Sequence, residues 1–242
     1  MSRFLVIPHL ENIEESLALA AEYGFGFEYN DFFSPNVLDD GALVDEIVGK
    51  YKRHRLPERC TLHGDFFDVL VFSEDRLIRE IAEKRIRQSL DAALKIGAEG
   101  VVFHTNHSPM LTADFYVKNW HDSNLRFWSG ILDEYSDINI YMENMFDTSP
   151  DMLAGLAKSL SGYKNFGVCL DYAHAAAFGG NTDRWVEMLA PYVKHLHIND
   201  NNLKDDLHLA VGDGQIDWLR FKEYYLKYFS ECTVLIETSE IN

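Results

Sequence analysis

The 242-residue chain has three cysteines, Cys60, Cys169 and Cys232. An odd, widely spaced set excludes a disulfide framework and a cysteine-based zinc site. All three sit in apolar stretches, which predicts buried free thiols and suits a reducing, cytoplasmic setting. No apolar run approaches the ~18 residues of a membrane helix, and the run near the N-terminus is too short for the core of a signal peptide. Positive charge is scarce: 22 Lys and Arg stand against 39 Asp and Glu, a formal net charge of -17. Such a surface repels phosphate backbones, so neither nucleic acid nor an anionic membrane is an expected partner. Gly24-Phe25-Gly26 precedes a strand instead of opening a helix, which excludes a dinucleotide fingerprint. No Gly-x-Ser-x-Gly elbow is present, which argues against an α/β-hydrolase.

What is present is an alternation. Short β-like runs are predicted at residues 4–8, 25–29, 59–63, 100–104, 138–143, 165–171, 193–198 and 233–237. Helical stretches separate them, among them residues 73–96, with Ser73 as the expected N-cap and Gly97 as the C-cap. Pro150 is expected at the first position of another helix. Strict alternation implies parallel strands with helical crossovers. Eight repeats in about this length favour a closed (β/α)8 TIM barrel, as one domain over residues 1–242. Only five residues follow the eighth strand, so a full final helix is expected to be lacking. That gap leaves room for a homo-oligomer.

Polar residues gather at the strand ends. His63, His104, Glu143, Asp171, His197 and Glu237 close the third to eighth strands, and in a barrel those ends converge on one mouth. Carboxylates and imidazoles together suit Zn2+, Mn2+ or a similar divalent ion, with Mg2+ and Co2+ also open. Without a cation, three carboxylates at one mouth repel each other. His174, three positions after Asp171, extends the set. So do Asp206 and His208 in the loop after the seventh strand, where Gly212 and Gly214 permit a tight turn. His9, His54, His107, His121 and His195 are read as ordinary structural residues. Glu28 closes the second strand and would bond either substrate or a neighbouring side chain. Phe66, Phe67, Phe146 and Trp218 would wall a pocket or simply pack.

These segments resemble the xylose isomerase-like barrel superfamily, which includes sugar isomerases and epimerases and endonuclease IV. The resemblance rests on His63-Gly64, Val102-Phe103-His104, Met142-Glu143-Asn144, Leu170-Asp171-Tyr172-Ala173-His174, His195-Leu196-His197-Ile198-Asn199-Asp200, Asp206-Leu207-His208 with Gly212-Asp213-Gly214, and Ile236-Glu237. In the ketose epimerase branch a Glu, Asp, His and Glu from the last four strands hold one metal. Glu143, Asp171, His197 and Glu237 match in order, and the resemblance implies acid and base roles for Glu143 and Glu237. In the endonuclease IV branch nine residues hold three zinc ions. The matching positions are His63, His104, Glu143, Asp171, His174, His197, Asp206, His208 and Glu237. This chain is shorter and more acidic than that branch, without an obvious basic stripe for DNA.

The expectation is therefore an enzyme with one to three divalent ions, Zn2+ or Mn2+ foremost. The first reading is a sugar or sugar-phosphate isomerase or epimerase, moving a proton at a carbon beside a metal-polarised carbonyl. The alternative is a multinuclear zinc phosphoesterase, for which His63, His104, His174, Asp206 and His208 become essential. A third is a non-catalytic binding module on a degenerate barrel. The partner is a small carbohydrate or phosphoester in the first two.

Overall fold

A computed structural model describes residues 3–238. Eight strands run parallel and close into a barrel in sequence order: β1 (Phe4–Val6), β2 (Gly26–Tyr29), β3 (Cys60–His63), β4 (Gly100–His104), β5 (Asn139–Glu143), β6 (Phe166–Asp171), β7 (Val193–Ile198) and β8 (Thr233–Ile236). β8 pairs back onto β1, with Leu5 opposite Leu235, so no sheet edge is left open. The first strand stops at Val6, short of the expected residue 8. Pro8 has no N–H to give to a ladder.

The helices are α1 (Ile13–Tyr23), α2 (Pro35–Leu38), α3 (Gly41–Lys52), α4 (Arg76–Ile96), α5 (Asp114–Glu134), α6 (Asp151–Leu160), α7 (Tyr172–His174), α8 (Thr182–Leu189) and α9 (Trp218–Tyr224). The last runs on as a π-helical turn over Tyr225–Phe229. Two expected caps move. α4 begins at Arg76 and is capped by Asp75, whose carboxylate accepts from the Leu77 amide at 2.8 Å. Ser73 lies too far upstream to reach the free amides of the first turn, and its Oγ accepts from the Asp75 amide at 3.2 Å. Pro150 is the N-cap of α6, one position earlier than expected. At the other end of α4, Gly97 takes φ +91° while its N–H bonds the Ala93 carbonyl; a left-handed residue there favours glycine.

The core lies between the barrel and the helices. α6 shows how it forms: Leu153, Leu156, Ala157 and Leu160 recur at helical spacing and are all fully buried, each leucine contributing on the order of 2 kcal/mol. Inside the barrel the layer is partly polar. Glu28 of β2 accepts from Thr61 Oγ1 at 2.6 Å and from His195 Nε2 at 3.0 Å, and the Thr233 hydroxyl meets His195 Nδ1 at 2.5 Å. Cys60, Cys169 and Cys232 are buried free thiols. Among the described residues no helix is long and apolar enough to cross a membrane. The expected lack of a final helix concerns residues 239–242, which lie outside the described residues.

Candidate metal centre

Register and strand alternation assemble the mouth. His104 sits opposite Glu143 across β4 and β5, and Asp171 opposite His197 across β6 and β7. On β7 the period of two turns His195 and His197 inward, with Leu196 and Ile198 toward the helices. The nine residues singled out from sequence come together as three groups, two of which share Glu143. These are His63, His104 and Glu143; Glu143, Asp171, His197 and Glu237; and His174, Asp206 and His208. Within each group the donor atoms lie within 4.8 Å of one another. Glu143 belongs to two groups, its Oε2 3.6 Å from His63 Nε2 and 3.4 Å from His104 Nε2, its Oε1 3.3 Å from His197 Nδ1. Glu237 Oε2 approaches the same His197 Nδ1 at 3.2 Å. Asp206 lies 3.2 Å from His174 Nε2 and 3.1 Å from His208 Nε2.

Three of the imidazoles are anchored from behind by hydrogen bonds. Nδ1 of His63 bonds the Gly64 carbonyl at 3.0 Å, Nδ1 of His174 the Asn144 carbonyl at 3.0 Å, and Nδ1 of His208 the Glu237 carbonyl at 3.1 Å. Each is an N–H donor there, which leaves Nε2 as the lone-pair atom facing its group. His197 is reversed: Nε2 lies 3.1 Å from Glu28 Oε1, and Nδ1 faces Glu143 and Glu237. Anchoring one ring nitrogen to a carbonyl or carboxylate fixes the tautomer and orients the other for a metal. Glu28 is thus a neighbour's partner, which settles the choice left open by the sequence.

The electrostatics fit a cation. Burial pushes the Asp171 carboxyl up to about 7, against the pull of His174 and with repulsion from Glu143 and Glu237. Burial opposes charge on Glu143 too, but the His197 and His104 charges more than offset it and hold it well below the usual carboxylate range. Likewise burial would lower His208, yet Asp206 and Glu237 bring it to about 9. Glu143 Oε2, Asp171 Oδ2, His174 Nε2, His197 Nδ1 and Glu237 Oε2 are buried without a hydrogen-bond partner. Carboxylate and imidazole atoms left unpaired and close together could hold a metal ion.

A pH dependence follows. Metal-free, Asp171 holds a proton below about 7 and His208 below about 9, whereas metal ligation needs carboxylate and neutral imidazole. Metal uptake is therefore expected to release protons near pH 7, and affinity to climb as pH rises from about 6 toward 9. Titration calorimetry in buffers of different ionisation enthalpy checks this; buffer-independent heats and a flat pH profile are the contrary result.

The loop after β7 carries Asp206 and His208. Its start and end are tied by Asp200, whose carboxylate accepts from the amides of Asn201, Gly212 and Ile216 and from Trp218 Nε1 at 2.7–3.1 Å. Gly212 has φ +100°, and a Cβ on Gly214 would collide with Asp200 and Asn201. Trp218 thus braces this loop instead of lining a pocket. Phe66 packs edge-on against His63 and His104, and Phe178, which the sequence reading passed over, packs on His174 and Phe146. Of the histidines read as structural, His195 is bonded below the centre, His107 Nε2 lies 3.6 Å from Asp147, and His121 bonds Ser159 on the outer helices. Asn144, quoted beside Glu143 in the sequence but given no role there, exchanges two side-chain hydrogen bonds with the backbone of Asp171.

A family model described as "Xylose isomerase-like TIM barrel" matches residues 17–225. An uncharacterized protein of Methanocaldococcus jannaschii is 29% identical over 200 residues, which is 78% of this chain and 67% of that protein. A Mycobacterium ulcerans protein called "Probable endonuclease 4" is 29% identical over 163 residues, 60% of each chain. A solved structure described as a D-tagatose 3-epimerase-like protein superposes with a TM-score of 0.78 at 25% identity, covering 99% of this chain and 92% of its own.

Proposed function

The chain belongs to the xylose isomerase-like TIM barrel family, and from that premise we propose that it is a divalent-metal-dependent isomerase or epimerase of a sugar or sugar phosphate. The carrying observation is the pair Glu143 and Glu237, which bring carboxylate oxygens to within 3.3 and 3.2 Å of one nitrogen of His197 from β5 and β8. In this reading Glu143, Asp171, His197 and Glu237 hold a Zn2+ or Mn2+ ion, which when bound supplies polarisation of a hydroxy-ketone carbonyl. One glutamate, as its carboxylate, removes the proton from the carbon beside that carbonyl, and the other, which has to carry a proton in the substrate complex, returns one. Both carboxyls are held below their ordinary range despite burial, Glu143 by His197 and His104 and Glu237 by His197. The glutamate that accepts the proton has to be in that anionic form. The neighbour described as D-tagatose 3-epimerase-like supports this reading.

The test is isotopic. Metal-loaded protein incubated in D2O with ketohexoses, ketopentoses and their phosphates is expected to place deuterium at the carbon beside the carbonyl. Sugars that stay unlabelled, with p-nitrophenyl phosphate hydrolysed instead, would transfer the assignment to the second reading.

That second reading, a multinuclear phosphoester hydrolase, is favoured by the two other groups, His63 with His104 and Glu143, and His174 with Asp206 and His208. The similarity to an endonuclease 4 protein over 60% of its length supports it as well. The double variant Asp206→Asn, His208→Ala separates the two. For an isomerase, metal content is expected to fall by about one equivalent while deuterium exchange stays within about 10-fold, because the four-residue group is intact. For a hydrolase, activity is lost with that ion.

A further inference from the structure

One buried polar side chain at the mouth has no role in holding metal. Asn199 follows β7 two positions after His197, so it continues the inward face of that strand. Its neighbours confirm the alternation. Asp200 turns outward to Gly212, Ile216 and Trp218, and Asn201 turns back in, donating to the Ala173 carbonyl beside His174 at 3.0 Å. Asn199 is 0% exposed, and neither its Oδ1 nor its Nδ2 has a hydrogen-bond partner among the described residues. A buried amide lacking every partner is strongly unfavourable and rare. Apart from Oδ1 of Asn30 at the end of β2, the other unpaired atoms of the mouth are carboxylate and imidazole atoms suited to cations. A carboxamide differs: it offers a donor and an acceptor on one neutral group, and its complement is a group that both accepts and donates, such as a hydroxyl. A phosphate oxygen without a proton satisfies only the amide N–H.

We propose that Asn199 is a substrate-reading residue, its carboxamide spanning a hydroxyl, or a hydroxyl and the adjacent carbonyl, of a polyhydroxylated substrate held at the metal mouth. This rests on the sugar reading of the site. Keeping a polar group unpaired until substrate arrives exchanges stability for selectivity.

The experiment uses manganese-loaded wild type and Asn199→Leu, a near-isosteric apolar replacement, with three readouts. Metal content is expected to be equal in the two, since Asn199 is no ligand. The melting temperature of the substrate-free variant is expected to rise by a few degrees. Binding of the unreactive hexitol D-mannitol by calorimetry, and deuterium exchange into D-fructose, are each expected to fall about 100-fold or more. A lower melting temperature with metal retained means that a structural water or a protein group already satisfies the amide, and overturns the proposal. Unchanged mannitol affinity and exchange in the variant overturn it as well, as does a wild type that binds no polyol. If mannitol binds through Asn199 but no ketose exchanges, the assignment of Asn199 stands and the proton-transfer reaction is what fails.

Discussion

Glu143→Gln is expected to abolish turnover, by at least about 10³-fold, and to strip metal from two of the three groups at once. Glu143 is the residue that the group with His63 and His104 shares with the group of Asp171, His197 and Glu237. Its two oxygens divide between them, Oε2 toward His63 and His104 and Oε1 toward His197. Glutamine keeps the shape but removes the charge and turns one oxygen into a donor, which faces imidazole lone pairs instead of a cation. Size is unchanged, so circular dichroism is expected to match wild type. Elemental analysis and the exchange assay read the effect. Wild-type metal content with wild-type turnover in this variant would remove Glu143 from both roles.

The second large effect is on stability. Saturation with Zn2+ or Mn2+ is expected to raise the melting temperature by roughly 10 °C relative to chelated protein. A ligand that binds only the folded state at a thousand times its dissociation constant stabilises by about 4 kcal/mol, and each kcal/mol moves a chain of this size by about 2–4 °C. The physical source is the mouth itself. Without a cation, burial and the neighbouring Glu143 and Glu237 keep Asp171 up near 7, and several carboxylate and imidazole atoms are buried unpaired. A cation relieves the repulsion and supplies the missing partner. Scanning calorimetry with and without a chelator measures the shift. Coincident melting curves would mean that the groups balance one another and have no use for an ion.

Much of this was legible beforehand for local reasons. Strand alternation and helical spacing are properties of neighbouring residues, so the eight β/α repeats could be counted from the chain. Because parallel strands in such a barrel point the same way, strand-end residues as far apart as His63 and Glu237 could be placed at one mouth before any coordinates. Cap positions were less legible. Whether Ser73 or Asp75 caps α4 depends on where the backbone turns, and both residues carry a suitable oxygen. Glu28 was ambiguous for another reason: its partners, Thr61, His195 and His197, lie 33 to 169 positions away.

Residue types and their spacing alone determined the architecture and which candidate donor residues meet at one mouth. Hydrophobic periodicity encodes which face of each element is buried, and position along a parallel strand encodes which end of the barrel a side chain reaches. Tertiary structure alone decided how the donors divide into three groups, which nitrogen of each histidine faces inward, and which polar side chains are left without partners. Those depend on distances of a few ångströms between strands joined by long crossovers. Glu143 is shared between two groups because β5 stands between β4 and β6, and the fold leaves the Asn199 carboxamide without a hydrogen-bond partner among the described residues.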